Sequence, residues 1–250
     1  MALAIDSQET SSTAHRATSS PLTWSFTNTA GNLLVVGVVA TGTGTSAITG
    51  VTYNGVSMTG GPTISWETNA SVVQLFYLAT PATGAHTVSV SGTGTSLALL
   101  AGAISFSGAD TSTPFGSSAT AKNDTTFTNH AQAGNITGAS GNYVFGVGGY
   151  GSGQAATADQ TESFHLVGTN NTGGDNILGG YALSSGSAIN FGFTWSSSDF
   201  MGVAAVEVKA ASGGSNGSVT AVPDAITVAL PAPVVAAKYE RVTNVTIYGT

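Results

Sequence analysis

The stretch "LFYLATPATGAHTVSVSGTGTSLALLAGAISFSG", Leu75–Gly108, carries the fold in miniature. Apolar and β-branched residues come in short bursts. "TPATGAHT" places a proline and then a glycine between two of them, as a turn between strands requires. A second stretch has the same build: "ILGGYALSSGSAINFGFTWSSSDFMGVAAVEVKA", Ile177–Ala210. "GNLLVVGVVATGTG" from Gly31 is likewise echoed by "GNYVFGVGGYGSG" from Gly141. Each half reads as strand, turn, strand, polar spacer and long apolar strand. Two matched halves that each expose an apolar face bury it against one another, so the expectation is one two-sheet sandwich rather than two independent domains.

Working outward, period-2 patterning predicts strands over Leu3–Ser7, Leu22–Thr27, Asn32–Thr41, Ile48–Tyr53, Val72–Ala79, His86–Ser91 and Leu97–Ser107. A second series covers Thr126–His130, Tyr143–Gly149, Glu162–Thr169, Asn176–Ser184, Ala188–Trp195 and Gly202–Ala210. "YNGV" at Tyr53–Val56 carries the Asn-Gly pair of a tight hairpin. Glycine interrupts every helical candidate, so the chain is expected to be all-β: an antiparallel β-sandwich of jelly-roll type over 1–211. "ASGGSNGS" then reads as a flexible linker, 212–218. Residues 219–250 form an extended arm spaced by Pro223, Pro231 and Pro233, since proline donates nothing to a central ladder. Its apolar positions, Val219, Val222, Ile226, Val228, Leu230, Tyr239, Val245, Ile247 and Tyr248, suit a surface in this subunit or a neighbour, either as an arm for attachment or assembly or as a C-terminal strand folded back onto its own sandwich.

Only 7% of the 250 residues are charged, against about 25% in an average soluble domain. Net charge is −7 with five basic residues: Arg16, Lys122, Lys209, Lys238 and Arg241. Nucleic acid and anionic membranes need clustered cations, so both are excluded as partners. The absence of cysteine excludes disulfides and thiolate metal sites. "MALAIDSQETSSTAHR" lacks the basic and apolar regions of a signal peptide, and "NLLVVGVVA" is too short to span a bilayer. Cytoplasmic synthesis of a soluble protein is the expectation.

Sites of chemistry are sparse. His15, His86, His130 and His165 show no metal-ligand spacing. The acidic pairs Asp6/Glu9 and Asp159/Glu162 stand three apart, which on a strand puts them on opposite faces. "TNNTGGDN" at Thr169–Asn176 reads as a polar turn rather than a calcium loop, because a second acid is missing. No cofactor and no metal are expected. Trp66, Tyr53 and Tyr150 are the candidate glycan-stacking aromatics, with Trp66 in "TISWETNAS" the most exposed of them by pattern.

"WSFTNTAGNLLVVGVVA", "ITGVTYNGVSMT", "VVQLFYLATPATGAHTVSVS" and "AGAISFSGADTSTPFG" occur in order, and together the chain resembles β-sandwich modules of bacteriophage structural proteins and large bacterial surface proteins. That resemblance covers Ala2 to about Ala211 and implies a structural or adhesive role with no catalytic residues. It implies a non-enzymatic virion component, a capsid decoration, head-fibre or tail-associated module, at the particle surface after synthesis in the host cytoplasm. Its partners would be copies of itself, a trimer being the commonest arrangement, and virion proteins such as the major capsid or a tail or neck protein. The alternative is a carbohydrate-binding receptor-binding or adhesion module.

Overall fold

A computed structural model describes residues 2–9, 15–150, 156–159, 162–164 and 176–212. The arm, the linker beyond Ser212, His165 and the loop through Asp175 lie outside the described residues. Among those described there is no helix, and every strand pairing is antiparallel. The first half contains β1 (Ala4–Gln8), β2 (His15–Ala17), β3 (Leu22–Asn28), β4 (Leu33–Thr41), β5 (Ala47–Tyr53), β6 (Val56–Ser57), β7 (Thr59–Trp66), β8 (Ser71–Ala79), β9 (Gly84–Thr93) and β10 (Ala98–Ser107). The second contains β11 (Phe115–Thr137), β12 (Tyr143–Tyr150), β13 (Ala156–Ala158), β14 (Glu162–Phe164), β15 (Asn176–Leu183) and β16 (Ala188–Val208).

These strands form three sheets, not the two expected. A first inner sheet runs β1-β10-β4-β8-β7 with β2 also on β10; an outer sheet runs β3-β9-β5-β6; a third runs β11-β16-β12-β15-β14 with β13 on β16. The reason is visible in the burial patterns. β3 alternates, with Leu22, Trp24 and Phe26 inward and Thr23, Ser25 and Thr27 outward, as a sheet with one wet face must. β4 and β12 are continuous apolar runs buried nearly throughout, and such strands need cover on both faces. On one face of β4, Leu34, Val36 and Val38 pack with Trp24, Tyr53, Val88 and Val90 of the outer sheet. On the other, Leu33, Val35 and Val39 pack with Phe145, Val147, Val206 and Val208 of the third sheet. Each such side chain contributes roughly 1.5–3 kcal/mol on leaving water.

The third sheet supplies its own outer layer. β11 and β16 pair along a long ribbon whose register breaks between Asn123 and His130. Beyond that break the ribbon folds back over the sheet it belongs to, so that Phe191, Phe193 and Trp195 lie on β12 and close an apolar cluster with Tyr150, Met201 and Val203. Gly146 and Gly148 of β12 leave the space: a Cβ on Gly146 would sit 2.5 Å from Phe191, and one on Gly148 2.6 Å from Phe193.

The two halves have the same strand order. Leu33 pairs with Phe106 as Tyr143 pairs with Val208. β3 pairs with β9 as the far part of β11 pairs with the near part of β16, and β5 lies on β9 as β13 lies on β16. β7 flanks β8 as β14 flanks β15. The sequence echo is thus a structural repeat, in which β11 does as one strand what β1, β2 and β3 do together. Matching positions also meet each other. Aligning Gly31-Asn32 with Gly141-Asn142 puts Gly37 opposite its own counterpart, Val147, whose methyls fill the place of the missing Cβ. Past the ends of β10 and β16, Ala109 and Ala210 form an antiparallel bridge. Each of these two backbone N–H groups donates to an asparagine at the matching place, Ala109 to Asn32 (3.0 Å) and Ala210 to Asn142 (2.9 Å). Like meeting like is the mark of a two-fold relation between the halves.

Candidate functional site

A cleft of about 420 Å³ opens where four pieces of the first half converge. They are β2 with the residue after it (Arg16, Thr18), the end of β4 (Thr41 to Thr43), the β7–β8 turn (Glu67, Ser71) and the start of β10 (Ser96 to Ala98). The ladder fixes their places: Thr41 pairs with Ala98, and Arg16 with Leu100. The turn is an unusual one. Glu67, Thr68 and Asn69 all have positive φ, at 53°, 55° and 68°, and across the cleft Ser96 has φ 51°. Non-glycine residues held there cost about 1–3 kcal/mol each, so the surroundings must over-determine them. They do: Ala70 N–H donates to the Glu67 carbonyl (3.0 Å), Ser46 N–H to that of Asn69 (2.8 Å), and the Ser71 hydroxyl to Glu67 Oε2 (2.6 Å).

Arg16 sets the electrostatics. Its Nε is buried with no hydrogen-bond partner, and among the described residues no ion pair reaches it. Lys122 and Lys209 are paired, with Asp124 and Asp110. Glu67 lines the same cleft without neutralising Arg16, because Ser71 holds it.

Asp6, Glu9 and Glu207 brace the backbone. Glu9 accepts from the Trp24 indole (2.6 Å) and Ala103 N–H (2.8 Å), and His15, 2.9 Å from it, stacks on Trp24. Asp6 accepts from the N–H groups of Thr29 and Ala30 and from the Ser105 hydroxyl. Glu207 does the equivalent work in the second half, accepting from the N–H groups of Ala139 and Ser117 and from the Asn142 amide. Burial opposes its charge, but those hydrogen bonds and Lys209 together hold its carboxyl below the ordinary range. Asp110 is also held low, chiefly by the N–H groups of Thr113 and Ser112. Asp6 and Glu9 therefore serve separate partners, with a register shift at Asp6, and Glu9 lying beyond the end of β1. Asp159 gathers His130, Gln132 and Thr194 with itself at the centre.

No protein-family model matches the chain, and neither a curated protein nor a solved structure does.

The aromatic glycan platform is corrected by burial. Trp66, Tyr53 and Tyr150 are each 0% exposed, and they sit in three different apolar clusters. Trp66 fills a hole left by Gly149 and Gly202, so its ring offers no face to a sugar. Tyr53 is pinned by its hydroxyl, which donates to the Gly84 carbonyl (3.1 Å), and burial pushes its pKa up. Tyr150 stacks on Trp195 at 5.2 Å. The arm positions, Val219, Val222, Pro223, Ile226, Val228, Leu230, Pro231, Pro233, Tyr239, Val245, Ile247 and Tyr248, lie outside the described residues. Among the described residues no three His, Asp or Glu side chains gather as metal ligands. Sequence reasoning passed over Arg16 and Glu67. The available signal was scarcity: in a chain with five basic residues, each one calls for a partner.

Proposed function

We propose that this chain is a non-enzymatic structural component of a bacteriophage particle, a capsid decoration, head-fibre or related surface module anchored through residues 219–250. The observation that carries the reading is the doubled sandwich, whose apolar clusters absorb Trp24, Trp66, Trp195, Tyr53 and Tyr150 and in which Asp6, Glu9 and Glu207 hold the backbone. That is the economy of a durable body with few charges to tempt a protease. The ordered motifs from Trp24 to Gly116 support the virion assignment by resemblance. The orders β1-β10-β4-β8 and β3-β9-β5-β6 support reading the first half as a jelly roll, since successive strands wrap between two sheets. Copies of itself and capsid, neck or tail proteins are the proposed partners.

The test compares the full chain with one ending at Ser212, by light scattering and by binding to phage particles stripped of surface proteins. The shortened chain is expected to stay folded while failing to assemble or attach. Equal behaviour of the two would overturn the anchoring role. A second reading, a saccharide-binding adhesion module, no longer rests on Trp66, Tyr53 and Tyr150. It is favoured instead by the cleft around Arg16 and Glu67.

A further inference from the structure

We propose that the Arg16 cleft binds a sugar that bears a carboxylate, with the acid on the Arg16 guanidinium and ring hydroxyls on Glu67 and the neighbouring threonines and serines. This rests on the saccharide-binding reading and is independent of the virion assignment.

Three observations converge. The first is the uncompensated arginine. A guanidinium is a planar fork of donors that matches a carboxylate two bonds at a time, and Arg16 lines the cleft with no ion pair among the described residues. In a chain of net charge −7, a cation with no carboxylate partner among the described residues is not a by-product of excess base. The second is Glu67. It faces the same cleft, and Ser71 occupies Oε2, leaving Oε1 to accept from a ligand. Opposite charges that share a cleft without meeting select a ligand carrying both an anion and hydroxyl donors. Sulfate or phosphate would satisfy Arg16 and be repelled by Glu67. A neutral sugar would satisfy Glu67 and leave Arg16 without its counter-charge. The third is the rim: the hydroxyls of Thr18, Thr41, Thr43 and Ser96 both donate and accept, and Leu97 offers an apolar contact for a ring face. At about 420 Å³ the space lies in the range of small-ligand sites.

The experiment is calorimetric titration of the full chain with D-glucuronate, D-galacturonate, N-acetylneuraminate, D-glucose and sodium sulfate, repeated with Arg16→Ala, Arg16→Gln and Glu67→Gln. At least one acidic sugar is expected to bind at least tenfold more tightly than glucose. Arg16→Ala and Arg16→Gln should each weaken it by tenfold or more, the glutamine variant serving if alanine lowers the yield of folded protein. Glu67→Gln should weaken the acidic sugar while tightening sulfate. If glucose binds as well as the acids and Arg16→Ala changes nothing, the acidic-sugar inference falls and the saccharide reading survives. Sulfate binding as tightly as the best acidic sugar makes the cleft a plain anion site and overturns the inference. If no sugar binds, both the inference and the saccharide reading fail together.

Discussion

Gly37 and Val147 show what one residue must do where a repeat meets its own copy. Both cannot be valine, because the methyls of Val147 already occupy the place where a side chain on Gly37 would start. Both cannot be glycine without a void in a cluster whose neighbours are fully buried. Gly37→Val is therefore expected to cost about 1–3 kcal/mol by overpacking, and Val147→Gly a similar amount through lost contacts and backbone freedom. The exchange of both should recover much of the loss, because the volume is restored across the same contact. Urea unfolding of the single and double variants measures the coupling, which for touching residues runs at about 0.5–3 kcal/mol. Strict additivity would mean that the two halves do not meet at these positions.

Glu207 is the residue through which pH should act. Its folded carboxyl is held below the ordinary range, so its contribution is complete above the unfolded value, near 4.3. It is lost as pH falls through the folded value. Thermal unfolding should show a fall in midpoint on acidification that is smaller in Glu207→Gln, with that variant about 1–3 kcal/mol less stable at neutral pH. Nothing near Glu207 in the sequence announces this brace. In the first half the equivalent carboxylate comes from the neighbouring strand, as Asp6 beside Ser105, while in the second Glu207 faces Gly116. Carboxylate and small partner have exchanged strands, and only the pairing reveals that they hold corresponding loops.

At the scale of elements, most strands were legible because one or both faces are apolar. β7 was missed because it opens "TGGPTISW", where glycines and a proline hide an edge strand; the register indeed shifts between Gly60 and Thr63, around Pro62. β11 was recognised only over Thr126–His130, since it is long, polar and mostly exposed, and what makes it a strand is the partner β16 rather than its own pattern. The same blindness misplaced Trp66. Its neighbours read as a loop, and the glycines that make room for its ring, Gly149 and Gly202, are on distant strands. Gly202→Ala should therefore cost about 1–3 kcal/mol, since the added methyl meets the indole. Trp66→Phe should cost less than an aromatic-to-alanine truncation, because it also removes an indole N–H that is buried with no partner among the described residues. Circular dichroism melts of the two variants rank these effects. A Trp66→Phe variant as damaged as a Trp66→Ala variant would mean that the indole N–H has a partner after all.

At the scale of the molecule, each half is a sandwich in its own right, yet the two inner sheets cover one another with their second faces. Separation would expose Leu33, Val35, Phe145 and Val147 to water together, so the layers are expected to unfold as one unit rather than as two domains in series. The chain carries its own reporters for this. Trp24 lies in the outer cluster, Trp66 between the inner sheets and Trp195 beneath the folded-back ribbon, one tryptophan to each apolar cluster. In three variants that each keep a single tryptophan and carry phenylalanine at the other two places, fluorescence should follow unfolding in each layer separately. Each variant has its own stability, so each fluorescence midpoint is compared with that variant's own far-ultraviolet dichroism midpoint. Agreement within each of the three means that the central interface binds the two sandwiches into one cooperative fold. If the Trp195 variant instead loses its fluorescence signal well before its strands, the ribbon unfolds independently, and the second half completes its sandwich only as an appendage of the first.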